Sequence, residues 1–171
     1  MKITCLGDSF TEGYLVGDKS YARLIEKAGF DVSNLGMNGA RTDTMAQKYA
    51  SFIEEGGYED VLIVFGGTND FLYGKSVRFV YANVKSILKM SKACRKMLVI
   101  PPLVEEEDGY DFYKMVNDKI KDYASLLEED NIETIDARKI PGRCFDGVHK
   151  DAFFHKGLKD EILRRLNDGK S

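Results

Sequence analysis

Short apolar runs alternate with longer amphipathic stretches along the whole chain, beginning at residue 2. Lys2–Leu6 predicts a buried strand that stops at Gly7. Tyr21, Leu24, Ile25 and Ala28 then recur at i, i+3, i+4 and i+7, one face of a helix, with Gly29 as its stop. Phe30–Leu35 predicts a second strand, and Met45, Tyr49, Phe52 and Ile53 a second helix closed by Gly56 and Gly57. Val61–Phe65 is an unbroken β-branched and aromatic run, as expected of a strand covered on both faces. Val77, Val80, Tyr81, Val84, Ile87 and Leu88 return to helical spacing, and Lys96–Pro101 predicts a fourth strand, stopped by Pro101 and Pro102. Phe112, Met115, Val116, Ile120, Tyr123 and Leu127 mark a long helix, Ile132–Ile135 a short fifth strand, and Leu158, Ile162 and Leu166 a last helix.

Five strands alternating with five helices imply βαβ units, and therefore a parallel sheet between two helical layers. Right-handed crossovers leave few ways to wind such a chain, the open doubly wound sheet being the commonest at this size. The expected fold is thus a three-layer α/β/α sandwich around a five-stranded parallel sheet. No repeat or boundary interrupts the pattern, so residues 1–171 are expected to form one domain. Folds of this kind carry their chemistry on loops after the carboxyl ends of strands. The places to search are Gly7, Leu35, Gly66, Pro101 and Asp136.

Composition narrows the function classes. With 43% apolar and 31% charged residues, the chain is of ordinary globular type. A net charge of −3 gives no basic footprint for nucleic acid. The strongest apolar runs, Val61–Phe65 and Met97–Val104, are far shorter than the ~20 residues a helix needs to cross a bilayer. Met1–Asp8 turns polar before a secretory hydrophobic stretch could form, so a cytoplasmic location is expected. Three cysteines, Cys5, Cys94 and Cys144, stand at wide spacing with no CxxC. They read as isolated reduced thiols, not as a disulfide or zinc framework.

Four loops hold residues suited to chemistry. Gly7-Asp8-Ser9-Phe10-Thr11-Glu12-Gly13 follows the first strand, and a serine at such a turn can expose its hydroxyl at the sheet edge. Its backbone N–H would point outward at a helix start, where negative charge is favoured. The same residues also make ordinary turns. Asn34-Leu35-Gly36-Met37-Asn38-Gly39-Ala40-Arg41-Thr42 follows the second strand. Its glycines allow close backbone approach to a ligand, and Thr42 or Asp43 can cap the next helix. Gly66-Gly67-Thr68-Asn69-Asp70 follows the third strand and offers the Asn69 amide protons on the edge where Ser9 sits. Phe145-Asp146-Gly147-Val148-His149 places an acid and a histidine three residues apart. On one turn the carboxylate can reach Nδ1, setting the tautomer and leaving Nε2 free to take a proton. The only other histidine, His155, reads as structural or solvated, with Asp151 as at most a helix-surface partner.

Taken together, these blocks resemble the SGNH hydrolases, also called GDSL esterases and lipases. Gly7-Asp8-Ser9-Phe10 matches the nucleophile block, Asn34-x-Gly36-x-x-Gly39 the glycine block, Gly67-x-Asn69-Asp70 the asparagine block, and Asp146-x-Val148-His149 the last block, in the family's order. The resemblance implies a flavodoxin-like sheet, Ser9 as nucleophile, His149 as general base and Asp146 as its orienting carboxylate. It also implies an oxyanion hole of the Ser9 N–H, the Gly39 N–H and the Asn69 amide. Gly36 fits the glycine block as well, and Gly39 is preferred because it lies nearer the following helix. Lys150, where many members carry a proline or apolar residue, departs from the pattern.

The implied reaction is hydrolysis of a small-molecule ester through an acyl-enzyme, with no cofactor and no metal. A short chain with few insertions suggests a shallow site for acetyl or short-chain acyl groups, on a short-chain ester or an acylated sugar. Phe10, Thr11, Tyr14, Phe71, Leu72 and Val148 are the expected pocket wall, with the acidic Leu103–Tyr113 loop beside them. Three alternatives belong to other classes: an acyltransferase with the same triad, a non-catalytic flavodoxin-like module binding phosphate or flavin at Ser9–Gly13, and a nucleophile at Cys144.

Overall fold

In the computed structural model, which describes residues 1–168, the chain begins with β1 (Lys2–Gly7), α1 (Ser9–Glu12), α2 (Tyr21–Lys27), β2 (Asp31–Gly36) and α3 (Thr42–Glu54). It continues through β3 (Val61–Phe65), α4 (Thr68–Leu72), α5 (Val77–Met90) and β4 (Arg95–Ile100). It ends with α6 (Asp111–Glu129), β5 (Thr134–Asp136) and α7 (Ala152–Asp168), with 3₁₀ turns at Gly17–Lys19 and Ala137–Lys139. Every strand pairing is parallel, in the order β2-β1-β3-β4-β5.

Alternation along the strands divides the core into two layers, because successive side chains leave opposite faces of a sheet. Val61, Ile63 and Phe65 of β3 join Tyr21 and Ile25 of α2 and Phe154, Leu158 and Ile162 of α7. Leu62 and Val64 face the other way, toward Met45 and Tyr49 of α3, Val84 and Ile87 of α5 and Ile120 and Leu127 of α6. The α/β/α sandwich read from the sequence is therefore the fold.

The departures are local. Among the described residues there are seven α-helices instead of five. The two extra, α1 and α4, span four and five residues, too few to display an apolar period. Helix α7 starts at Ala152, before its predicted stripe, and buried Phe154 and His155, one turn ahead of Leu158, extend that stripe toward its start. Strand β5 is Thr134–Asp136, not Ile132–Ile135, since it pairs in register from Leu98↔Thr134 to Ile100↔Asp136. Strand β4 ends at Ile100, before a proline that has no N–H for the ladder. No helix among the described residues is long and apolar enough to cross a membrane.

The chain passes from β1 to β2 on one side and returns to β3 on the other, which opens a crevice at the carboxyl ends of β1 and β3. Registers Gly7↔Gly36 and Gly7↔Phe65 bring three strand ends level. The loops holding Ser9, Gly39 and Asn69 leave from this one edge.

Candidate active site

Ser9 is the first residue of α1. Asp8 caps that short helix by accepting the Phe10 N–H on Oδ1 at 3.0 Å. The other oxygen of Asp8, Oδ2, is buried without a partner among the described residues. Burial pushes the Asp8 carboxyl up to about 7, against the Phe10 hydrogen bond and with some help from the charge of Asp70. Ser9 itself is 6% exposed. The turn can sit this low only because Gly36 of β2 lacks a side chain: a Cβ there would lie 2.2 Å from the Glu12 nitrogen. Asn34 ties the same two segments together, donating from Nδ2 to the Thr11 carbonyl at 3.0 Å.

The Ser9 hydroxyl lies 2.9 Å from Nε2 of His149, although 140 residues separate them. On the far side of the ring, Nδ1 is 2.7 Å from Oδ2 of Asp146. The second oxygen of Asp146 accepts the N–H groups of Val148 at 3.1 Å and His149 at 2.8 Å. Burial opposes the charge on Asp146. The bonds from the His149 N–H and ring and from the Val148 N–H outweigh it and hold the carboxyl below its ordinary range. The aspartate therefore stays ionised and fixes the histidine from two directions. The rings of Phe10 and Tyr14 lie 5.8 and 4.7 Å from the imidazole. A hydroxyl, an imidazole and a carboxylate in this sequence can pass a proton from oxygen to nitrogen.

Of the two candidate glycines in the β2 loop, Gly36 has its N–H committed to Oδ1 of Asn34 at 2.9 Å. Gly39 has φ +73°, a conformation that favours glycine, and open space where a Cβ would be. Its N–H has no partner among the described residues. Asn69 donates one amide proton to the Ala40 carbonyl at 3.0 Å, one residue away.

The expected wall is only partly a wall. Phe10 is 2% exposed and stacks on Phe65, and Phe71 is 0% exposed against Tyr123. Both are corrected to core residues, because the short helices that carry them press that face onto the sheet. Thr11 is likewise buried, bonded to the Tyr21 hydroxyl at 2.8 Å. Tyr14 is exposed, and Leu72 and Val148 are half-buried. The acidic loop is anchored beside the histidine: the Glu105 N–H bonds the Gly147 carbonyl at 2.7 Å, and the Asn117 side chain clamps both the N–H and the carbonyl of Val104 at 2.9 Å.

His155 is structural, the first of the two roles expected of it: it is 1% exposed, and its Nδ1 accepts the Tyr21 N–H at the start of α2 at 3.2 Å. Burial pushes it down to about 4 despite the nearby Asp151. Cys144 is half-buried, and burial raises its thiol in spite of Lys150 beside it, the reverse of what a nucleophilic thiolate needs. A groove of about 510 Å³ between β5 and α7 involves none of these residues, and its charged lining residues Asp136 and Lys139, like Glu161 and Arg164, pair with one another.

Sequence reading missed how α3 is capped. Thr42 does not cap it, and of the backbone N–H groups Asp43 accepts only that of Thr44, at 3.0 Å; the Asp70 carboxylate accepts the Thr42 N–H at 3.0 and 3.1 Å and its hydroxyl at 2.7 Å. Burial still raises the Asp70 carboxyl, against those bonds. No local pattern could join residues 42 and 70. The only signal was an acid directly after Asn69 with no role assigned to it.

A model of the GDSL-like lipase/acylhydrolase family matches residues 5–154. Among solved structures, the chain is similar to a member of the lipolytic protein G-D-S-L family from Veillonella parvula, at 21% identity and TM-score 0.80, covering 96% of this chain and 97% of that one. It is similar also to a carbohydrate acetylesterase family member from Sinorhizobium meliloti, at 18% identity and TM-score 0.76, covering 97% and 99%. A third similar structure is the M. smegmatis aryl esterase, at 16% identity and TM-score 0.78, covering 98% of each chain. No curated protein matches in sequence. No group of residues suited to holding a metal ion occurs among the described residues.

Proposed function

The chain belongs to the GDSL-like lipase/acylhydrolase family and is an ester hydrolase, and we propose that it cleaves acetyl or short-chain esters through Ser9, His149 and Asp146. The observation that carries this reading is the pair of short contacts on one imidazole, 2.9 Å to the Ser9 hydroxyl and 2.7 Å to the Asp146 carboxylate. Serine is a weak nucleophile at its own pKa, so a base must take its proton as it attacks. Nε2 of His149 takes that proton while Oγ bonds the acyl carbon. The carbonyl oxygen then carries negative charge, which the Ser9 N–H, the Gly39 N–H and the free Asn69 amide proton receive. Collapse breaks the bond to the alcohol, which leaves with the proton held by His149. Water, deprotonated by the same nitrogen, then bonds the acyl carbon, and the bond to Ser9 Oγ breaks as Oγ takes that proton back from His149, releasing the acid. No cofactor takes part.

Tyr14 and Val148 flank the histidine and would contact the substrate. The preference for small acyl groups draws support from the acetylesterase among the similar structures. We assign the whole chain to one hydrolase domain, and its three free thiols suit a reducing cytoplasm.

Labelling with a fluorophosphonate and mapping the modified peptide tests the nucleophile. Adduct on the Ser9 peptide is expected, with loss of p-nitrophenyl acetate hydrolysis in Ser9→Ala. A Ser9→Ala protein that turns over near the wild-type rate would overturn the reading. Ester products in place of free acid, on adding an alcohol acceptor, would reassign the enzyme as a transferase.

A further inference from the structure

Two neighbouring side chains of α4 reach across to the loop that carries Gly39, and they grip it at different points. Asn69 holds the Ala40 carbonyl at 3.0 Å. Asp70, fully buried, holds Thr42 through the N–H and the hydroxyl. The Thr42 hydroxyl is gripped from a third element too, accepting from Nδ2 of Asn83 on α5 at 3.1 Å. The segment between Gly39 and α3 is therefore tied to α4 on both sides of Arg41. We propose that Asp70 is a positioning residue for the reaction: by holding Thr42 it sets the Gly39 N–H at a fixed offset from the Asn69 amide. This rests on the reading of Gly39 and Asn69 as oxyanion donors.

The physical case is one of tolerance. Preorganised donors stabilise an oxyanion because they need not move when charge develops. Gly39 cannot secure its own position, since it has no side chain and sits on an exposed turn. A helix N-terminus would ordinarily be capped by the residue preceding it, but Arg41 makes no such bond. The cap comes instead from α4, the short helix that also bears Asn69. One rigid element thus holds one donor and locates another. A cap supplied by residue 41 would satisfy the helix equally well, but it would not link the two donors.

Asp70→Asn keeps the size but places an amide where a carboxylate accepted the N–H and hydroxyl of Thr42. Its kcat on p-nitrophenyl acetate should fall about 10- to 100-fold with KM little changed, as expected when reacting groups are misplaced by a fraction of an ångström to an ångström. Affinity for phenylboronic acid, which forms a tetrahedral serine adduct, should weaken in step with kcat/KM. Thr42→Val, which removes the hydroxyl alone, should lose activity several-fold, and Thr42→Ser should restore it. If Asp70→Asn does not fold, the Thr42 pair decides the matter. Wild-type kcat in both Asp70→Asn and Thr42→Val, or lowered activity with unchanged boronate affinity in the folded variants, would overturn the proposal. An active Ser9→Ala would instead overturn the reading of the site on which it rests.

Discussion

Asn69 gives one of its two amide protons to the carbonyl of Ala40 at 3.0 Å, and the other has no partner among the described residues. The first bond fixes the plane of the amide, so the second N–H points in a set direction without reorganising. Asn69→Ala should therefore lower kcat by roughly 10²–10³ while changing KM much less. Steady-state kinetics on a short p-nitrophenyl ester check this. A change confined to KM would make Asn69 a binding residue only.

Asp146 faces the ring with one oxygen and two backbone N–H groups with the other. An asparagine can still accept the backbone pair, but its NH₂ then confronts Nδ1. The imidazole must present Nδ1 as an acceptor and carry its proton on Nε2, where Ser9 needs a base. Asp146→Asn should lose about 10²–10⁴ in kcat with the fold intact, the upper end being the loss seen when a triad tautomer is reversed. Near-UV circular dichroism together with kcat separates this outcome from misfolding.

Gly36 admits no side chain, because a Cβ would overlap backbone atoms of Thr11 and Glu12, which cannot rotate away. Gly36→Ala should destabilise by about 1–3 kcal/mol, the usual cost of overpacking. Activity should fall with it, since the displaced helix carries Ser9. Thermal melts and kcat measured on one preparation test both halves. A stable variant with unaltered kcat would contradict the close packing of α1 on β2.

His155 makes stability depend on pH. An unfolded histidine titrates near ~6.5, whereas burial holds this one at about 4. Between those values the unfolded chain binds more protons, so stability rises with pH. The contribution of neutral His155 is fully present above about pH 6.5 and is lost as pH falls through about 4. Its size is on the order of 3 kcal/mol. His155→Gln, which can still accept the Tyr21 N–H, should flatten this acid limb in urea midpoints measured from pH 7 to pH 4. An unchanged slope would show that His155 does not govern it.

How far the sequence reaches can be judged element by element. Val61–Phe65 was legible to the residue, because a strand buried on both faces needs an unbroken apolar run. The loop blocks around Ser9, Asn69, Asp146 and His149 were legible because each sits at a strand end or tight turn whose residue types are locally constrained. Phe10 and Phe71 misled: an aromatic next to a site residue looks like a pocket wall, and only its orientation shows it to be core. His155 was legible only as far as structural or solvated, since burial is not written in the residue type.

The chain by itself determined the alternation of strands and helices, the parallel sheet this compels, and the loops that bear reactive groups, all consequences of periodicity and local turn chemistry. Tertiary structure alone decided which groups meet. The bond between Ser9 and His149 and the grip of Asp70 on Thr42 span 140 and 28 residues. Hydrogen bonds of that reach depend on strand order and register, which bring distant segments to one edge, and no local pattern of side chains encodes them.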